Sequence, residues 1–395
     1  MGRIVVTGLG IISALGDSTA QNRQALINGI SGISTLHFCD SRYSGLRPCG
    51  EVKFSTEGLK EKLRATAPGT TRTDVFALHA FEEACVDAQL NETDISSAET
   101  ALIGASTVGG MCLTDELYHD ANKKQDGSPY LSSYDCSSSA IFLQQRYKLN
   151  GIVNTINTAC SSSANAIMFG AKLLQQGYSK RAIVGGADSL AKFTINGFNA
   201  LHILSPEACT PFDNDRKGLN LGEGAAFLVL EKEEDVKDKR IYAVLSGFGN
   251  SNDAFHPTSL SDNGEGPFLS MQRAIETAKL TPGQIGYINA HGTATENNDL
   301  VESTAMIRLF GTPPPFVSSK ANTGHTLGAA GAIEAVFSIL CLHHQEIYPS
   351  LRFHTPIEST GLTPVQKYQQ VTLQHVMSNS FGFGGNCSSL IFSGL

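Results

Sequence analysis

The chain has 395 residues, 41% of them hydrophobic and 17% charged, enough for two to three domains or for one large unit built from two similar halves. With 29 Lys/Arg against 37 Asp/Glu the net charge is −8, and no basic block stands out, which excludes the dense positive footprint that nucleic acid requires. Nine Cys at irregular spacing without a CxxC pair, an N-terminal apolar run too short for a signal peptide, and the lack of a window of ~20 apolar residues predict a cytoplasmic protein with free thiols and no membrane insertion.

In chain order, short apolar runs bounded by Gly alternate with helix-length amphipathic stretches, the pattern of an α/β protein. Residues 3–7 predict a first strand running into the turn TGLG, and 101–105 a second. A helix is expected over 161–176, stopped by Gly177, then strands over 181–184, 225–230 and 242–247. Helix 267–279, strand 287–289, helices 299–310 and 327–343, and a last strand over 390–392 complete the series. Pro313-Pro314-Pro315 reads as a surface turn.

Two passages echo each other. Cys160 opens ACSSSANAIMFGAKLLQQG and His325 opens GHTLGAAGAIEAVFSILCL, each a reactive residue followed by small residues and an apolar helix. IVVTGLG near the start and VLSGFG near residue 245 correspond as well. This pattern predicts an internal duplication joined in the charged run 231–240, with halves 1–240 and 241–395.

Four segments carry chemistry. In Asn157-Thr158-Ala159-Cys160-Ser161-Ser162-Ser163 the Cys stands at the tip of a helix, where the dipole and free N–H groups favour the thiolate, so a lowered pKa would activate it without a dedicated base. Asn289-Ala290-His291-Gly292-Thr293-Ala294-Thr295 and Ser318-Ser319-Lys320-Ala321-Asn322-Thr323-Gly324-His325 each place a His beside Gly at a strand-to-helix junction. Ser380-Phe381-Gly382-Phe383-Gly384-Gly385-Asn386 describes a sharply bent backbone around one Phe. Each has a plainer reading: a buried inert thiol, a satisfied polar His, a tight turn, and, for Asp299 and the two Thr, simple helix capping.

Together, and in this order along the whole chain, IVVTGLG, GASTVGGM, NTACSSSA, GGADSL, TPFDNDRKGLNLGEGAA, YINAHGTATENND, SSKANTGHTLGAAGAIE and SNSFGFGGN resemble the elongating β-ketoacyl-acyl-carrier-protein synthases of the thiolase superfamily. The resemblance implies a thiolase-like fold of two duplicated α/β halves in layered α-β-α-β-α arrangement, and decarboxylative condensation of a Cys-bound acyl group with malonyl-carrier protein. It implies Cys160 as nucleophile, His291 and His325 as the pair that promotes decarboxylation, Lys320 with Glu334 as its supporting carboxylate, and Asp299 as an organising acid. Thr293 and Thr295 would hydrogen-bond the phosphopantetheine arm, while Phe383 would be the gate and its N–H would join that of Cys160 in an oxyanion hole. Val108 and Gly109 would lie near the acyl tunnel. The implied partners are acyl- and malonyl-loaded carrier protein and a second copy of the chain or a related subunit; phosphopantetheine would arrive on the carrier, with no tightly bound cofactor and no metal.

The chain departs from the family's usual Thr-Asn after GFGG, having Asn386-Cys387 instead, which puts the hydrogen bonding behind the gate in question. The Arg/Lys positions with which the family docks its carrier are poorly matched, and Lys60, Lys62, Arg64 and Arg72 are the candidates for carrier docking. The short form, the CSSSAN segment and the Asn-Cys ending resemble the aryl-polyene and flexirubin-type sub-family. Other readings are a chain-initiating enzyme or thiolase (the latter with Cys387 as its second Cys), a non-catalytic chain-length factor, and a zinc hydrolase with Cys160, His291 and His325 as ligands.

Overall fold

The computed structural model describes residues 2–125, 127–128 and 130–395. Its first part runs β1 (Ile4–Ser13), α1 (Thr19–Ile27), α2 (Thr56–Lys62), α3 (Arg72–Asp87), α4 (Glu92–Ser96), β2 (Thr100–Ala105), α5 (Thr114–Lys123), α6 (Ser138–Tyr147) and β3 (Val153–Ile156). It continues through α7 (Ser162–Gln175), β4 (Arg181–Asp188), α8 (Lys192–Ala200) and β5 (Gly224–Lys232). The remainder is β6 (Ala243–Asn252), α9 (Glu265–Ala278), β7 (Tyr287–Asn289), α10 (Glu296–Phe310), β8 (Phe316–Val317), α11 (Lys320–Thr323) and α12 (Ala330–His344). A small β9 (Glu346–Ile347) and β10 (Gln369–Gln370) pair lies apart, and β11 (His375–Phe381) and β12 (Asn386–Ser393) end the chain.

Ten strands form one mixed sheet in the order β3-β2-β4-β5-β1-β6-β12-β11-β7-β8. Read outward from its centre, the order repeats: β2 is parallel to β3 and β4 while β5 is antiparallel to β4 and β1. In the same way β7 is parallel to β8 and β11 while β12 is antiparallel to β11 and β6. The two sets meet where Val5 pairs with Val244 and Val6 with Ala243. The paired glycine motifs have a shared physical cause. A Cβ on Gly8 would lie 2.3 Å from the Ala84 carbonyl oxygen of α3, and one on Gly247 would lie 2.4 Å from the Ala274 carbonyl oxygen of α9. Each half thus presses an outer helix directly onto its inner strand.

Between the outer helices lies a central layer in which α7 packs on β4 and β2, α12 packs on β5 and β11, and the two helices touch. One apolar cluster fills this layer, with Ile167, Leu174, Ile333 and Val336 among its members, and separate clusters lie under α3 and under α9. The result is the layered α-β-α-β-α arrangement. Every residue from Ala330 to Leu342 is buried, so α12 is apolar on all faces because it is surrounded on all faces. The stretch Leu327–His344 has a mean hydropathy of 1.4 and is long and apolar enough to cross a membrane by composition, but 89% of it is buried inside the protein. Its hydrophobicity is explained by the core.

The expected strands are all present, and all but β7, which spans 287–289 as expected, are longer than their apolar runs; β1, β4 and β6 continue through glycines that read as turns. Helix α3 carries a signature visible in the sequence: Thr71 caps the Asp74 N–H and Asp74 returns the bond to the Thr71 N–H.

Candidate active site

Cys160 sits on the turn between β3 and α7, two residues before the helix begins. Ala159 before it is held at φ +55, an uncommon conformation for a residue with a Cβ. The turn is fixed by its own hydroxyls: Ser162 Oγ accepts from the Thr158 N–H at 2.9 Å, and Ser161 Oγ donates to the Thr158 carbonyl at 2.8 Å. Two further non-glycine residues in the left-handed region flank the site, Ala294 at φ +65 between the two threonines and Leu327 at φ +52 just after His325.

His291 lies two residues past the end of β7. Its N–H and that of Gly292 donate to the two oxygens of Glu302, each at 2.8 Å. His325 lies on the loop after α11, bridged to the GLNLGEG segment: its N–H donates to the Asn220 carbonyl at 2.7 Å, and the Gly222 N–H donates to the His325 carbonyl at 2.9 Å. Three distant segments therefore converge, and the reactive atoms of Cys160, His291 and His325 all lie within 4.8 Å of one another. The two imidazole rings stand edge-to-face, centroids 5.4 Å apart.

Burial decides the protonation of this group. Desolvation, with the nearby Lys320 ammonium adding to it, pushes both His291 and His325 well below the ordinary imidazole value, so both rings are neutral at pH 7. Lys320 Nζ donates to His291 Nδ1 at 3.2 Å and to the His291 carbonyl at 2.6 Å, while the Leu327 N–H donates to His325 Nδ1 at 3.3 Å. With each Nδ1 accepting, the ring proton belongs on Nε2, leaving two neutral N–H donors for the cavity. Lys320 is held by a buried ion pair to Glu334 of α12. Burial pushes Glu334 up to about 7 against the pull of Lys320.

The thiol departs from the sequence expectation. Burial pushes Cys160 up to about 11, against the opposing influence of Lys320 and of the Phe383 N–H that points at the sulfur. Cys160 is only 6% exposed, and loss of water outweighs the favourable charges around it, so the protein holds a neutral thiol.

A cavity of about 490 Å³ opens onto these groups; Cys160, both His, Thr293, Thr295 and Phe383 line it. Thr293 and Thr295 hydroxyls bond each other at 2.8 Å, and Thr295, although at the N-cap position of α10, makes no side-chain cap bond. Capping therefore does not account for it. Asp299 is buried away from the cavity; its carboxylate accepts the Ala294 N–H at 3.1 Å and the Phe212 N–H at 2.7 Å, holding the threonine turn from behind. The Phe383 ring stacks on Phe198 of α8 at 5.8 Å, closing the cavity wall. Gly382 lets this loop approach, since a Cβ there would lie 2.6 Å from the Thr158 oxygen and 3.2 Å from the Cys160 nitrogen.

Val108 is not among the residues lining this cavity but is buried in the apolar cluster beside it with Ile195 and Leu327. Other expectations are not met. Arg72 is not available to a docking partner, because it is buried and its guanidinium bonds both oxygens of Glu223. Lys62 pairs with Asp17, and Lys60 and Arg64 lie on the same short surface segment, α2 and its end. Cys387 is fully buried and outside the cavity, unlike a thiolase base. As a zinc site the Cys160–His291–His325 group has the right donor set, but the Lys320 ammonium on His291 Nδ1 puts a buried positive charge against any dication. Two acids that the sequence did not single out prove central. Glu302 accepts the His291 and Gly292 N–H groups. Asp188 accepts from Ser106 Oγ at 2.6 Å, the Val108 N–H at 2.9 Å and the Gly328 N–H at 2.7 Å, tying the loop after β2 to the turn after His325.

Residues 1–236 match the family model described as Beta-ketoacyl synthase, N-terminal domain, and residues 242–354 match Beta-ketoacyl synthase, C-terminal domain. The chain is 34% identical to the 3-oxoacyl-[acyl-carrier-protein] synthase 2 of Vibrio cholerae serotype O1, over 99% of this chain and 98% of that protein. Among solved structures, the ishigamide ketosynthase/chain length factor superposes with a TM-score of 0.93 at 28% identity, covering 100% of this chain and 99% of that one. AntDE:AntF, described as a type II PKS acyl-carrier protein in complex with its ketosynthase bound to the hexaketide, gives 0.87 at 27% identity, covering 100% of both.

Proposed function

Because the chain belongs to the β-ketoacyl synthase family, we propose that it catalyses decarboxylative condensation of a Cys160-bound acyl group with malonyl-carrier protein to give a 3-oxoacyl thioester. The observation that carries this reading is the meeting of one thiol and two neutral imidazole donors in a single cavity, with a buried Lys–Glu pair behind them.

In the first half-reaction the Cys160 sulfur bonds the acyl carbon, the pantetheine sulfur leaves, and the thiol proton ends on that leaving sulfur. The developing oxyanion faces the Cys160 and Phe383 N–H groups. In the second, the bond from the malonyl α-carbon to its carboxylate breaks, carbon dioxide leaves, and negative charge gathers on the thioester oxygen. Nε2–H of His291 and of His325 meets that charge, stabilising the enolate more than the ground state. The α-carbon then bonds the acyl carbon, the Cys160 sulfur departs as thiolate, and a proton taken up from solvent restores the neutral thiol. Lys320 fixes His291 and supplies positive potential; Glu334 places Lys320. Thr293 and Thr295 hold the pantetheine arm, Asp299 shapes their turn, and Phe383 gates the entrance. No tightly bound cofactor is needed.

The carrier and a second subunit are the partners. One of the solved relatives is a ketosynthase with a chain length factor and another a ketosynthase with its carrier protein. The open edge of the sheet at β3, with Asn154 exposed, supports pairing there with a second copy or with a related subunit. Retention of Cys160 and both His argues against the chain being a non-catalytic partner itself. We assign the halves to 1–240 and 241–395 and the protein to the cytoplasm, with nine free cysteines in support. The CSSSAN segment and Asn386-Cys387 support membership of the aryl-polyene or flexirubin-type sub-family. Mass analysis of products from purified protein, malonyl-carrier and a panel of acyl-carriers tests this: a 3-oxoacyl product two carbons longer than the primer is expected, and none from any primer would overturn it.

A further inference from the structure

Behind the gate, where the chain has Asn386-Cys387, the side chains of Asn165, Asn250 and Asn386 form a continuous amide cluster reaching from the nucleophile turn to the GFGG loop. Asn386 Oδ1 is surrounded by four donor groups: Ser161 Oγ at 2.8 Å, whose one proton it shares with the Thr158 carbonyl, Asn165 Nδ2 at 2.8 Å, Asn250 Nδ2 at 3.1 Å and, more distantly, Ser388 Oγ at 3.4 Å. Asn165 Nδ2 also donates to Thr158 Oγ1 at 2.8 Å, and its Oδ1 accepts from Asn250 Nδ2 at 2.9 Å and Ser388 Oγ at 3.0 Å. Ser161 and Thr158 are the residues that shape the turn holding Cys160. On the other side, the Gly382 N–H donates to the Asn386 carbonyl at 2.8 Å and the Gly385 N–H to the Gly382 carbonyl at 3.1 Å, making 382–386 one closed loop with Asn386 at its base. Gly384 and Gly385 both stand at φ +82 and offer no stiffness of their own.

We propose that Asn386 is a positioning residue: its side-chain oxygen, clamped by Ser161, Asn165 and Asn250, fixes the GFGG loop against the nucleophile turn and so holds the Phe383 N–H opposite Cys160 for acyl transfer. This rests on the condensing-enzyme reading above. A threonine hydroxyl at 386 is a shorter group with one proton of its own to place, and it cannot take the same three donors. The cluster touches neither imidazole, so its effect falls on the step that uses the Phe383 N–H and spares enolate formation.

The test compares Asn386→Ala and Asn386→Thr with wild type in two assays. Rapid-quench intact mass follows acylation of Cys160 from acyl-carrier; carbon dioxide release from malonyl-carrier is followed in the Cys160→Gln background, where the His pair acts alone. Acylation is expected to fall about tenfold or more, as for a mispositioned oxyanion donor, with decarboxylation within about twofold of the parent. Unchanged acylation overturns the proposal, and so does an equal fall in both rates, which would mean a merely structural role. Asn250→Ala, at the exposed end of the cluster, serves if the 386 variants fail to fold; it should lower acylation selectively, and an unaltered rate there is equally fatal. If wild-type protein neither acylates nor decarboxylates, it is the condensing-enzyme reading that fails.

Discussion

Lys320→Met removes the one cation in the buried core of the site and leaves Glu334 without its partner. Both side chains are almost wholly buried, at 2% and 3% exposure, so no water replaces the lost charge. With Lys320 present, burial holds Glu334 at about 7; without it the carboxyl rises further and stays protonated at higher pH. An unfolded glutamate ionises near ~4.3, so between that value and the folded pKa the folded state holds the extra proton and stability falls as pH rises. In wild type this loss levels off near pH 7, whereas in the variant it continues. We predict that the difference in unfolding free energy between the two proteins widens in favour of wild type as pH rises from neutrality towards 9, by up to ~1 kcal/mol per pH unit. Urea unfolding of both proteins at pH 6, 7, 8 and 9 measures it. Curves that stay parallel across that range would refute the argument, because they would mean that Glu334 is not held by Lys320.

Alkylation of Cys160 by iodoacetamide should rise about tenfold per pH unit from pH 7 to 10, since only the thiolate reacts and burial holds the thiol up to about 11; a plateau near pH 8 would contradict a neutral resting thiol. His291→Ala and His325→Ala should each lower carbon dioxide release from malonyl-carrier by ~10²–10³, the usual effect of losing one oxyanion donor, and near wild-type turnover in either variant would remove that residue from the mechanism. Arg72→Met should destabilise the fold by about 3–5 kcal/mol in chemical denaturation by stranding the buried Glu223 carboxylate, a loss a surface docking arginine would not show.

That Cys160, His291, His325 and Phe383 would come together at one cavity was legible in the sequence because each stands among glycines and small side chains, a pattern that survives without tertiary information. Strand centres were legible for the same local reason, but their ends were not: Gly8 and Gly247 look like punctuation and are instead inside β1 and β6, where the missing Cβ admits a helix from far along the chain. Helix α3 was missed although its Thr71–Asp74 capping box stands in plain view. The roles of Glu302 and Asp188 could not be read, and Asn386 stood out only as a departure without its partners, because what each accepts is a hydrogen bond from a residue positioned by folding. The state of the thiol failed in the opposite direction. A helix tip favours the anion, but the depth of burial that outweighs it is a property of the packed molecule.

Cys160→Gln separates the sulfur's work from that of the two rings behind it. Incubated with malonyl-carrier and acyl-carrier, this variant should release carbon dioxide at least as fast as wild type while forming no 3-oxoacyl product. Condensation by the variant, or a failure to release carbon dioxide, would contradict the division of labour between Cys160 and the His291–His325 pair.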